Sequence, residues 1–181
     1  MIEPEFYGMT LEMRMLHGAL GKIVRDEIER RLVALDAGVS AMQFFLLHML
    51  RGEAQTMTEL SRKMMLDPST LVPIVDALER NGFVMRGKDP QDRRRVPLSL
   101  TNEALTLLAS IPPVDEDDIV LNSLHRLGYD KATQLIELSR ELVKNLPNGE
   151  EILSEMMSRV AAFNRDYCKH LSGRKSEDPS P

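Results

Sequence analysis

Apolar residues recur along this chain with a spacing that changes from helical to strand-like and back. In "MTLEMRMLHGALGKIVRDEIERRLVALDAG", Leu16, Leu20, Ile23 or Val24, Ile28 and Leu32 return at steps of three or four, the period of one helix face. The spacing predicts a long helix from about Thr10 to Asp36, with Gly38 as its stop. "SAMQFFLLHMLRG" opens with Ser40 and Gln43 at capping-box spacing and ends at Gly52. "TMTELSRKM" repeats the device with Thr56 and Glu59, which gives a short third helix. In "DPSTLVPIVDALERNG", either Asp67 caps the helix with Pro68 at its first position or Ser69 caps it a turn later. Leu71, Ile74, Val75 and Leu78 form its apolar face, and Gly82 closes it.

The period then shortens. "FVMR" and "RVPLSL" are apolar and β-branched segments, and "GKDPQDRR" between them carries turn chemistry at Gly87, Asp89-Pro90 and Asp92. A β-hairpin is expected. Thr101 caps a further helix, "NEALTLLAS", which Pro112-Pro113 interrupts. Helical patterns resume at about 115–127, 130–145 and 149–171, and the tail 173–181 is expected to be disordered because it has no apolar anchor.

Composition narrows the class. An apolar content of 43% and a charged content of 28% over 181 residues suit a soluble globular chain. Twelve Met and no Trp favour a helical core. No apolar run approaches the roughly 18 residues of a membrane helix, and Glu3 and Glu5 do not suit a signal peptide. The expectation is a cytoplasmic protein with no membrane partner.

Charge adds a sharper feature. The net charge is -5, yet residues 58–100 carry eight basic and six acidic groups, a net +2. Arg86, Lys88, Arg93, Arg94 and Arg95 crowd into the expected hairpin. A basic run is most often a solvated loop, but here it follows two short helices joined by a tight turn. That order is the order of a winged helix-turn-helix. The second helix of such a pair fits the major groove of B-DNA, which is about 12 Å wide. Ser69 and Thr70 at its start can cap the helix or donate to bases and phosphates, and the free N–H groups there attract phosphate. The hairpin tip lies beside the duplex, where an Arg can enter the negative minor groove.

"TMTELSRKMMLDPSTLVPIVDALERNGFVMRGKDPQDRRRVPLSLT" resembles the MarR family of bacterial transcription regulators. The resemblance is close over residues 56–101, weaker over the flanking helices, and absent as a motif beyond about 145. It implies a homodimer built from helices at both chain ends, with two recognition helices and two wings on a pseudo-palindromic operator of double-stranded DNA. Asp92 and Arg94 match the family's wing D-x-R, in which the Arg enters the minor groove and the Asp orients it. The resemblance also implies repression relieved by a small, often aromatic effector.

The chain departs from the family pattern on the recognition helix, where Val72, Pro73 and Ala77 replace polar or basic residues. Val72 suits contact with a thymine methyl group. Pro73 removes a backbone donor and disfavours helical geometry at Val72, so a kinked or late-starting helix is expected. Asp76 and Glu79 leave this helix little positive charge, which assigns most phosphate attraction to the wing and to Arg62 and Lys63.

The expected fold is mainly α: a winged helix-turn-helix with a small β-hairpin wing, plus a helical dimerisation region from both chain ends. Its divisions are 1–36 for an N-terminal dimerisation helix, 37–103 for the DNA-binding domain, 104–172 for the C-terminal dimerisation helices and 173–181 for the tail. Expected DNA contacts are Ser69, Thr70 and Val72 on the recognition helix, and Lys88, Asp92, Arg93, Arg94 and Arg95 on the wing. Thr56, Arg62 and Lys63 are expected at the DNA backbone.

No nucleophile–base pair, phosphate-cradling glycine loop or spaced metal-ligand set stands out, so neither an enzyme, a metal site nor a cofactor is expected. "DEDD" at 115–118 suits the first turn of a helix better than a metal. His17, His48, His125 and His170 share no ligand spacing, and Cys168 has no second cysteine to pair with. Two alternatives stand beside the regulator: a winged-helix protein-interaction module without specific DNA recognition, and a thiol sensor built on Cys168.

Overall fold

Pro4, which has no N–H to leave unpaired, lies in the first turn of α1 (Pro4–Ala34). The helix therefore begins well before the expected Thr10. The computed structural model describes residues 3–88, 92, 95–112, 114–158 and 160–161. The chain divides into two units, Met1–Asn122 and Ser123–Pro181.

In the first unit, α1 is followed by α2 (Ala41–Met49), α3 (Met57–Met64), α4 (Pro68–Arg80), β1 (Val84–Arg86), β2 (Leu98–Leu100) and α5 (Asn102–Ser110). Both expected capping boxes form. The Ser40 hydroxyl accepts from the Gln43 N–H while the Gln43 side chain accepts from the Ser40 N–H, and Thr56 and Glu59 repeat the pair. Glu29 of α1 also accepts from the Ala41 N–H at 2.6 Å, which ties the first helix to the start of the second.

The α3–α4 turn has no glycine. Met65 adopts the left-handed conformation there, with φ +52°, and the Leu66 N–H reaches back to the Ser61 carbonyl at 3.1 Å. By contrast, α4 ends on Gly82, with φ +76°, as expected from the sequence. The Phe83 N–H bonds the Leu78 carbonyl at 2.9 Å and the Gly82 N–H bonds that of Glu79 at 3.0 Å, the paired bonds of a Schellman ending. The chain leaves this turn directly into β1.

The hairpin is antiparallel, with Val84 opposite Leu100 and Arg86 opposite Leu98. Gln55, in the α2–α3 connection, adds a one-residue third rung. Its N–H and carbonyl bond the carbonyl and N–H of Leu98 at 3.0 and 2.8 Å. Its side-chain amide donates to the carbonyl of Met49 at the end of α2. Thr101 caps α5 through the Ala104 N–H, as expected, and its hydroxyl donates to the Gly82 carbonyl at 2.7 Å.

The core explains why these pieces hold together. Phe44, Leu46, Leu47, Leu60, Leu71 and Leu78 are completely buried, three on α2, one on α3 and two on α4. Full burial of one such side chain contributes about 1.5–3 kcal/mol. Arg31 closes the end of α1 onto the segment after α5, donating to the Pro112 carbonyl at 2.9 Å and pairing with Asp115.

Two expectations are corrected here. The late start of α4 at Ser69 does not occur: the helix begins at Pro68 and runs unbroken through Pro73, with Asp67 at the N-cap position but making no side-chain cap bond. Leu71, Val75 and Leu78, all fully buried, hold the helix across the bond that Pro73 cannot make. The "DEDD" run, in turn, precedes its helix. Asp118 caps α6 (Ile119–Leu127) by accepting from the N–H groups of Val120 and Leu121 at 2.9 and 2.8 Å, while Asp115 is the partner of Arg31.

The second unit contains the remainder of α6, α7 (Tyr129–Lys144) and a helical stretch at 149–158. The expected tail at 173–181, Cys168 and His170 lie outside the described residues.

Candidate nucleic-acid interface

The outward face of α4 is set by what its inward face buries. With Leu71, Val75 and Leu78 in the core, Ser69, Thr70, Val72 and Pro73 project into solvent in the first turns of the helix. The three residues expected to meet DNA from this helix are thus all exposed, with Ser69 and Val72 one turn apart on the same stripe. They sit beside a helix N-terminus, which favours an anion.

The wing is fastened to that helix by a residue whose role the sequence did not reveal. Arg86, at the end of β1, pairs with Asp76 at 2.6 Å and also with Glu79. The hydrogen bond to Asp76 raises the Arg86 pKa further above its ordinary value; burial opposes it, and the charges of Glu79 and Asp76 add to the rise. The two carboxylates that make α4 acidic therefore share one guanidinium within the fold, which offsets half of their charge. The only hint in the sequence is that Asp76 and Glu79 are one turn apart on a helix feeding the strand.

On the other side of the hairpin, Arg95 pairs with Glu59 of α3 at 3.0 Å, and its N–H bonds the Asp92 carbonyl at 3.0 Å. Glu59 is held below the usual carboxylate range, first by the Thr56 N–H, then by the Thr56 hydroxyl, with Arg95 adding to the effect. Thr56, expected at the DNA backbone, is thus engaged in its own cap: its hydroxyl donates to Glu59 at 2.9 Å and accepts from the Glu59 N–H at 3.3 Å. Lys63 reaches Glu53 at 3.4 Å, and Arg62 is exposed on the same helix. Lys88 and Asp92 are exposed at the two roots of the wing tip. Arg93 and Arg94 lie outside the described residues.

The structure therefore brings α3, the face of α4 and the roots of the wing together through Gln55, Arg86 and Arg95. Gln55 escaped sequence reading because a lone polar residue in a connection gives no periodic signal; it is buried and bonded on both sides of its backbone.

Comparison with known proteins places this arrangement. A family model described as "MarR family" matches residues 39–96, which contain α2, α3, α4 and β1 and end just before β2. The uncharacterized HTH-type transcriptional regulator YkoM of Bacillus subtilis (strain 168) is 31% identical over 106 residues, covering 58% of this chain and 68% of that protein. The chain belongs to the MarR family.

This MarR-family chain is also 26% identical over 136 residues to the HTH-type transcriptional repressor NicR of Pseudomonas putida, covering 72% of the chain and 85% of that protein. Among solved structures, a mutant MarR from E. coli complexed with operator DNA superposes with a TM-score of 0.67 at 22% identity, covering 78% of this chain and 98% of that one. The S. aureus MepR–DNA complex gives 0.63 at 19% identity, covering 74% and 97%. These likenesses establish the winged-helix fold of the family. Among the described residues, no helix is long and apolar enough to cross a membrane.

Proposed function

We propose that this MarR-family chain is a DNA-binding transcriptional regulator that acts as a homodimer on a pseudo-palindromic operator. The observation that carries the reading is the fastening of two elements to each other. Arg86, at the base of the basic hairpin, is locked to α4, the helix that bears the exposed Ser69, Thr70 and Val72. In this mechanism α4 enters the major groove, and the wing runs along the backbone to a flanking minor groove. Lys88, Arg93 and Arg95 contact phosphates or the groove edge, Arg94 probes the minor groove with Asp92 orienting it, and Arg62 and Lys63 meet the backbone.

Dimerisation is assigned to residues 1–36 and 104–172, with 37–103 as the reading domain. Phe6, Tyr7, Leu11, Met15, Leu16 and Leu20 of α1 are each more than half exposed in a single copy, an apolar load of the kind that interfaces cover. One relative is named a repressor, and repression is the sign of control proposed here. Release by a small aromatic molecule follows from the family resemblance.

The test is binding of the purified protein to the DNA upstream of its own gene and to unrelated DNA across a salt series. Preference for the upstream fragment with steep salt dependence is expected. Arg94→Ala is expected to weaken that binding by on the order of 1–3 kcal/mol. Equal and weak binding to both fragments would favour the protein-interaction reading instead.

A further inference from the structure

We propose that α4 reads thymine C5-methyl groups through an apolar patch made by Val72 and Pro73, an inference that rests on the DNA-binding reading above. Ser69, Val72, Pro73 and Asp76 follow the helical steps that place them on one stripe of α4, opposite the buried Leu71, Val75 and Leu78. Val72 is 43% exposed and Pro73 is exposed beside it. Two adjacent apolar side chains thus stand at the part of the helix that would enter the groove, where the core does not need them.

The chemistry of base edges limits what this stripe can read. Guanine is read by Arg or Lys, and adenine by Asn or Gln, and residues 68–77 contain none of these four. Cytosine offers an amino group to a carboxylate, and the one carboxylate of this stripe, Asp76, is already paired with Arg86. The hydroxyls of Ser69 and Thr70 both donate and accept, so they discriminate weakly. The thymine methyl is the apolar group displayed in the major groove, and it matches the Val72–Pro73 surface.

The patch is also preorganised. A β-branched residue in a helix has one strongly preferred side-chain rotamer, and the proline ring is fixed by its own covalent geometry. Little side-chain freedom remains to be lost on contact. The same reasoning extends to 5-methylcytosine, whose methyl group projects at the same edge of the base.

The experiment begins with a duplex that the full chain selects from a random-sequence pool. That duplex is then made with thymidine or with deoxyuridine, which lacks only the methyl group, and binding is measured at one salt concentration. Wild type is expected to bind the deoxyuridine form more weakly, by about fourfold for each methyl contacted. Val72→Ala, at an exposed helical site where alanine is well tolerated, is expected to bind the thymidine form more weakly and to show a smaller ratio between the two forms. Its far-UV circular dichroism and Tm serve as the folding control. Equal wild-type binding to both forms, or an undiminished ratio in Val72→Ala, overturns the methyl readout while leaving DNA binding intact. Failure to select any duplex overturns the DNA-binding reading and this inference together.

Discussion

His48 lies on α2 with its ring edge-on to Phe44, the ring centroids 4.6 Å apart. Its Nε2 is buried with no hydrogen-bond partner among the described residues. Burial, helped by the positive charge of Arg51, lowers its pKa from 6.5 to about 4. The folded protein therefore resists protonating this ring, whereas the unfolded chain takes up the proton near its ordinary pKa. Stability is fully present above pH 6.5 and is lost as pH falls towards 4, by on the order of 3 kcal/mol. Urea unfolding between these values is expected to show that loss in wild type and a shallower slope in His48→Met. Equal slopes would remove His48 as the cause. Glu59 acts in a lower window: its depressed pKa contributes stability above the ordinary carboxylate value, lost only as pH falls below it. Single residues were legible from sequence where their partners were close along the chain, as in the Ser40–Gln43 and Thr56–Glu59 boxes. Arg86 was visible as a cation but its role was not, because its pairing with Asp76 and Glu79 depends on the angle at which β1 leaves Gly82.

At the scale of elements, the α3–α4 turn carries an avoidable strain. Met65 holds φ +52° and is 68% exposed, so its side chain adds little to the core while its Cβ opposes the left-handed backbone. Met65→Gly is expected to raise stability by about 0.5–1 kcal/mol, read as a higher denaturation midpoint at unchanged m-value. A lower midpoint would mean that Met65 contributes packing that its exposure does not suggest. The end of α3 at Met64 matches the expected "TMTELSRKM", although no glycine follows it. Where glycine supplied the left-handed residue, as at Gly82, that conformation was readable; where Met65 supplied it, no residue marked it. Pro73 was misleading. Its local preference is real, but the three fully buried side chains of α4 outweigh one missing backbone bond. The "DEDD" run was similarly ambiguous, since carboxylates suit both a cap and a first turn, and Asp118 took the cap.

For the whole molecule, the exposed apolar face of α1 belongs with the proposed dimer. Sedimentation equilibrium of the purified protein is expected to give twice the chain mass. Replacing Leu16 and Leu20 together by Asp is expected to yield a folded monomer with much weaker operator binding. A wild-type monomer at micromolar concentration would reject the assignment. The alternation of helix, helix and hairpin made the winged-helix plan legible, because each element carries its own period and punctuation. The fastening of those elements was not, since Gln55, Arg31 and Arg86 all act across distances that no local pattern encodes.

That fastening limits how such a molecule can let go. Gln55 grips the last turn of α2 with its side chain and β2 with its backbone, so the hairpin and the reading helices are joined like a handle to a blade. A handle fixed in this way does not fold back alone. In the proposed dimer, release from DNA would then turn on spacing: two stiff heads pushed slightly apart or together would fall out of step with the turns of the duplex.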